Sequence, residues 1–178
     1  MNQPSLVKET QKTRVVLGAP SEAKRRYMLV RKFLPSDAEA LSQIFIQNLR
    51  QVNIRDYPSE AIEALVRLYT PEQIIERAGK WITLVCTDGQ DVVGTASLDN
   101  DRVREVFVAV SQHRTGIGKQ LMHAIEMMAK EQHLEKLYLL AGISAEDFYK
   151  KLGYVVIKRF DNDLNGIPLR VIRMEKDI

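Results

Sequence analysis

The chain has 178 residues, of which 45% are hydrophobic and 28% charged, enough to bury the core of one ordinary globular domain. A formal net charge of +3 suits an anionic ligand, yet 26 basic and 23 acidic residues are interspersed, and the concentrated basic stripe of a nucleic-acid binder is missing. A single cysteine, Cys86, excludes an intrachain disulfide and fits the cytoplasm, and no stretch offers the ~20 apolar residues of a membrane span or the core of a signal peptide.

Residues 1–26 are polar and end in Lys24-Arg25-Arg26, so they read as an extension, flexible in part, ahead of a domain over residues 27–178. The short run Arg14-Val15-Val16-Leu17 is its one candidate for a strand or a docking segment. Alternation from Tyr27 to Phe33 predicts the first core strand. Ser36-Asp37-Ala38-Glu39 has the spacing of a capping box, and the helix after it carries Leu41, Ile44, Phe45, Asn48 and Leu49 on one face. The pattern breaks over Val52 to Pro58, resumes as a helix over Ser59 to Leu68, and starts once more at Thr70-Pro71-Glu72-Gln73. Strands are predicted over Trp81 to Thr87, Val92 to Leu98 and Arg102 to Val110; their short turns imply an antiparallel meander.

The third of these strands runs into a glycine loop and then a helix. Ile117, Leu121, Ala124, Ile125 and Met128 fall on one side of that helix, and Lys119, Gln120, His123, Glu126 and Lys130 on the other. A helix start leaves backbone N–H groups unpaired and carries roughly half a positive charge, so an anion is stabilised there. The spacing is not that of a Walker A loop, since His113 stands at the first glycine and Gln120 follows Lys119. Nor is it a dinucleotide fingerprint, since Leu121 replaces the third glycine. Farther on, Lys136 to Ala141 reads as a buried strand returning parallel to Val106–Val110 through a right-handed crossover. Ser144 is predicted to cap a short helix that ends at Gly153, with Asp147 at its capping-box position, and Tyr154 to Phe160 and Leu169 to Glu175 to form a hairpin over Asp161 to Gly166.

Two segments together carry a family resemblance. His113-Arg114-Thr115-Gly116-Ile117-Gly118 is similar to the pyrophosphate loop of the GCN5-related N-acetyltransferases (GNAT), with His113 at the usual Gln or Arg position. Ala145 to Tyr154, with Phe148-Tyr149 and Leu152-Gly153, resembles the same family's A-x-x-F-Y-x-x-L-G-[FY] element, with Gly142 where many members have Asn. The resemblance implies an α/β (α+β) fold: a central mixed, mostly antiparallel sheet of about six to seven strands, flanked by helices and splayed at an acetyl-CoA site. It implies acetyl transfer from acetyl-CoA to a primary amine, with the helix–loop–helix region near residue 55 closing over the acceptor.

On that reading Val108, Ala109 and Val110 offer backbone amides to the pantetheine and the thioester oxygen. His113, Arg114, Thr115, Gly116, Ile117, Gly118 and Lys119 hold the pyrophosphate, and Phe148 packs at the cofactor. Tyr149 is the candidate acid for the departing thiolate, with a packing tyrosine as the alternative. Glu105, on the same side of its strand as Phe107, is the candidate base, with a solvated strand-end carboxylate as the alternative. Asp56 and Tyr57 can attract a cationic amine or merely shape a turn. No residue cluster has metal-ligand spacing, and Cys86, mid-strand, reads as a small hydrophobe, which favours direct transfer in a ternary complex. A non-catalytic acyl-CoA-binding module of the same fold is the other reading. The acceptor is a small molecule or a protein amine, and the oligomeric state stays open, a homodimer included.

Overall fold

The computed structural model describes residues 28–178; the expectations for residues 1–26, and Tyr27, lie outside them. Strand β1 (Met28–Lys32) leads into a 3-10 turn, Pro35–Asp37, and helix α1 (Ala38–Gln51). The predicted Ser36 cap is not what holds the start of this helix. Asp37 accepts the backbone N–H of Leu34 at 2.7 Å and both guanidinium nitrogens of Arg31 at 2.7 Å, tying the turn to β1. The apolar face of α1 is buried as predicted, Asn48 included.

Helices α2 (Ser59–Val66) and α3 (Pro71–Ala78) follow, the latter capped weakly by Thr70 Oγ1, 3.4 Å from the N–H of Gln73. Strands β2 (Ile82–Asp88), β3 (Asp91–Asp99) and β4 (Arg102–Val108) form the predicted meander. Helix α4 (Ile117–Glu131) crosses over to β5 (Lys136–Ala141), and the short helix α5 (Glu146–Lys151) precedes β6 (Val155–Leu164) and β7 (Ile167–Asp177). The seven strands lie in the order β1-β2-β3-β4-β5-β7-β6. Among the described residues only β4 and β5 pair in parallel, joined through the crossover helix α4.

Two local details differ from expectation, one in a hairpin and one at a helix start. The last hairpin is longer than predicted: its turn is Asn165-Gly166, with φ of +54° and +86°, as a two-residue type I′ turn requires. Its outer strand alternates polar residues with few apolar ones, which hid its length. The short helix α5 is not capped by Ser144 either. A 3-10 turn, Ile143–Ala145, precedes it, and the Ser144 N–H donates to Asp56 Oδ2 at 3.0 Å.

The sheet buries both faces. Against one pack Ile117, Leu121 and Ile125 of α4; against the other pack Leu41, Ile44 and Phe45 of α1. The feature that matters for function is in β4. Glu105 has φ +51° and sits at a bulge where the β3–β4 register slips between Thr95 and Ser97. A bulge adds twist and bends its strand. Strands β4 and β5 accordingly register at a single pair, Arg102 with Tyr138, and not along Val106–Val110 as expected. Beyond that pair they diverge and leave a cleft through the sheet.

Candidate functional site

The glycine loop follows the end of β4, beyond the residues that line this cleft. Gly116 is left-handed, with φ +93° and ψ −5°, and no side chain caps the helix after it. The first bond of the α4 ladder runs from the Gln120 N–H to the Gly116 carbonyl at 3.1 Å. The N–H groups of Ile117, Gly118 and Lys119 therefore lack intrahelical partners and can converge on an anion. Arg114 is also left-handed, and Thr115 Oγ1 donates to the Gln112 carbonyl at 2.7 Å, which braces the loop.

Two of the expected loop roles change. A Cβ on Gly118 would lie 3.1 Å from Cζ of Phe148, so this glycine admits the phenylalanine ring and locks the loop to α5. The two sequence motifs are thus in direct contact. His113 turns inward: its Nε2 lies 3.1 Å from Asn48 Oδ1 and 3.0 Å from the Val108 carbonyl. Asn48 Nδ2 already donates to the carbonyls of Ile44 and Val108, so its oxygen is fixed as an acceptor. Both neighbours of Nε2 then accept, and Nε2 must carry a proton. His113 latches α1 to the end of β4 through this ring nitrogen.

At the open edge of β4 the available amides are fewer than expected. The Ala109 N–H donates to the Val93 carbonyl at 2.8 Å and is spent on the sheet. Backbone groups alternate sides along an antiparallel strand, so Val106 and Val108 present theirs toward the gap. The Val108 carbonyl is met there by Asn48 and His113. Val110 has already left the strand for a 3-10 turn.

The cleft has a volume of about 410 Å³ and is lined by Glu105, Val106 and Tyr149 together with Tyr69, Arg77 and Arg102. Glu105 is only 10% exposed, and its Oε1 accepts from Arg77 Nε at 2.7 Å. Burial pushes its carboxyl above the ordinary value, against the pull of Arg77 and Arg104. A bulged, left-handed, buried glutamate is conformationally costly, by roughly 1–3 kcal/mol, and such strain concentrates where a side chain has to be aimed. Tyr149, 8% exposed, packs edge-on to Phe148 and Tyr154, and burial raises its phenol well above the usual range. The expected acid and base thus line one cleft.

Asp56 and Tyr57 hold backbone groups, and Tyr57 also lines the cleft. Asp56 holds the Ser144 amide, and Tyr57 donates to the Arg170 carbonyl at 3.0 Å, strapping the residue 53–57 turn across β5 and β7. A side chain at position 142 would come within 3.2 Å of the Tyr57 hydroxyl, which accounts for Gly142. Cys86 is fully buried, its thiol pushed up to about 11 by burial and the nearby Asp88 charge. Arg77 and Arg102 were missed by sequence reasoning; each is a lone arginine in an ordinary amphipathic pattern.

Comparison with known proteins agrees with this fold. The chain matches the family described as an acetyltransferase (GNAT) domain over residues 53–178. A search of the curated proteins finds no match. Among solved structures it is similar to a Rhodopseudomonas palustris protein described as a GCN5-related N-acetyltransferase and as an aminotransferase of class II. That protein is 28% identical, with a TM-score of 0.79, over 84% of this chain and 94% of that one. The PaiA N-acetyltransferase from Thermoplasma acidophilum, solved in complex with coenzyme A, is 21% identical with a TM-score of 0.73, over 85% of this chain and 99% of that one. A ribosomal-protein-alanine N-acetyltransferase from Brucella melitensis is 20% identical with a TM-score of 0.64, over 84% and 99%. The last two likenesses are likenesses of fold.

Proposed function

Because the chain belongs to the acetyltransferase (GNAT) family, we propose that it moves the acetyl group of acetyl-CoA directly onto a primary amine, with both substrates held in the cleft between β4 and β5. The observation that carries this reading is that Glu105 and Tyr149, from separate elements, line that one cleft; the uncapped α4 N-terminus follows the same strand. The first-turn amides of α4 suit a pyrophosphate, and the free amides of Val106 and Val108 suit a pantetheine arm and the thioester oxygen.

In the reaction the amine nitrogen forms a bond to the thioester carbon, and the carbon–sulfur bond breaks. Glu105 takes the amine proton, directly or through water, and the raised carboxyl is a better base for it than an ordinary surface glutamate. Tyr149 supplies a proton to the departing thiolate. Arg77 keeps Glu105 in place and favours its ionised form. A buried, protonated thiol at Cys86 argues against an acetyl-cysteine intermediate.

Thiol release from acetyl-CoA, followed across a panel of primary amines, tests the proposal. Amine-dependent release is expected, and Cys86→Ala is expected to retain it. Binding of acetyl-CoA without release for any amine would leave an acyl-CoA-binding module instead. An acetyl group found on Cys86 by mass spectrometry, with turnover lost in the variant, would replace direct transfer by a two-step route.

The amide cradle has its own test. Nothing lies within 4 Å of a Cβ on Gly116, so a substitution there acts only through its φ of +93°. Strain of roughly 1–2 kcal/mol is expected for any L side chain at such a φ. Gly116→Val is expected to weaken acetyl-CoA binding in calorimetry by about tenfold, near 1.4 kcal/mol. Lys119→Ala, which leaves the amides alone, should cost much less. Gly118→Val is a poorer probe because it strikes Phe148 first. Equal and small losses for Gly116→Val and Lys119→Ala would remove the loop from the binding site.

A further inference from the structure

The charge of the cleft points to the kind of amine it accepts, an inference that rests on the acetyltransferase reading above. Four arginines share this side of the sheet. Arg77 is paired with Glu105 at 2.7 Å, Arg104 with Asp99 at 2.7 Å, and Arg173 with Glu175 at 2.8 Å. Arg102 has no carboxylate at ion-pair distance among the described residues, although it is half-buried and lines the cleft. Its guanidinium carbon lies 5.9 Å from the centroid of the Tyr138 ring, and Arg173 occupies the same ring at 4.4 Å. Arg102 Nε is shielded from solvent and has no hydrogen-bond partner.

A guanidinium in this state lacks an ion-pair partner. Burial first, then the Arg104 and Arg173 charges, oppose its ionised form against the pull of Tyr138 and Asp99, and removing a charge from water without a direct partner is costly. An anion arriving at Arg102 relieves that cost and gains charge-assisted, geometrically matched hydrogen bonds, so it is bound far more strongly than by an exposed arginine. The same positive excess repels a polyamine.

Position agrees with charge. Arg102 stands at the single pair where β4 and β5 still meet, the closed end of the cleft, while the glycine loop lies past the opposite, open end. Three residues of strand, roughly 10 Å, separate Arg102 from Glu105, and the long arginine side chain shortens the span a ligand has to cover. We propose that the acceptor is a small amine bearing a carboxylate or a phosphate, whose anionic group is bound by Arg102 while its amine is held at Glu105.

Calorimetry in the presence of saturating coenzyme A, with the 178-residue chain, tests this without requiring turnover. The probes are β-alanine against β-alaninamide, phosphoethanolamine against ethanolamine, and spermidine; the first two pairs also separate carboxylate from phosphate. At least one anionic amine is expected to bind tenfold or more tightly than its neutral counterpart and than spermidine. Arg102→Gln is expected to erase that difference while coenzyme A affinity stays the same, and Arg102→Lys to restore part of it. Spermidine or the neutral amines binding as well as the anionic ones, no binding by either anionic amine, or an anion preference that survives in Arg102→Gln would each overturn the proposal. Thiol release is read in parallel to keep the two readings apart. Neutral or cationic amines turned over with no anion preference would sink the Arg102 site and leave the acetyltransferase. Anionic amines bound through Arg102 without thiol release would sink the catalysis and leave the site.

Discussion

Tyr149→Phe is expected to lower kcat for the best amine by roughly 10²- to 10⁴-fold, the range for a positioned proton donor, with acetyl-CoA affinity nearly unchanged. The substitution removes one oxygen and keeps the ring, so the edge-on contacts with Phe148, at 5.0 Å between centroids, and with Tyr154, at 5.9 Å, survive. The phenol's pKa is raised by burial from a reference near 10, so the group holds its proton across the neutral range and adds no limb to the rate profile there. Steady-state kinetics on a panel-selected amine, with a melting curve as a control for folding, decides the matter. A kcat within about twofold of the parent, well short of that range, would make Tyr149 a packing residue and hand the proton to water or substrate.

Glu105→Gln is expected to produce a loss of the same order, roughly 10²-fold or more, and to change the shape of the pH profile as well. Glutamine keeps an acceptor for Arg77 Nε, so the bulge and its ion-pair neighbour should persist and the variant should fold. In the parent, the base works only when ionised. The activity therefore rises as pH passes upward through the Glu105 pKa, and because burial lifts that pKa, this limb lies above the reference value near 4.3. The variant should lose the limb and retain only the ionisation of the amine substrate. A variant with reduced rate but an unchanged limb would show that Glu105 supports the strand and that another group takes the proton.

Much of this was readable from residue order, and the exceptions have physical reasons. Helix α1, helix α4, the β2–β3–β4 meander and β5 follow from period and turn chemistry, which are local properties of the chain. The phosphate-type loop was legible because a strand, two glycines and an amphipathic helix occur in succession, and Tyr149 because its neighbours form a recognisable run. What misled was local competition. Ser36 and Ser144 both have capping spacing, yet Asp37 won the first role through its bond with Arg31, and Asp56 took the Ser144 amide from 88 residues away. Asn165-Gly166 is itself a strong turn signal, but a polar edge strand gives no alternation to frame it.

The sequence by itself determined which segments become helix or strand, where an anion can be seated, and which family the chain resembles, because each depends on residues within a few positions of one another. Only the tertiary structure decided the rest. The bulge at Glu105 is set by the register of β3 against β4, and β4 and β5 part beyond Arg102 to leave the cleft. The pairing of Arg77 with Glu105 joins residues 28 positions apart. Gly118 is a glycine because Phe148, 30 residues later, needs its space, and Gly142 because Tyr57 does. Arg102 is an ordinary arginine in the sequence and is left without an ion-pair partner among the described residues because three neighbouring arginines pair with the nearby carboxylates, a distinction made by distance through space and burial, neither of which is written in any short stretch of chain.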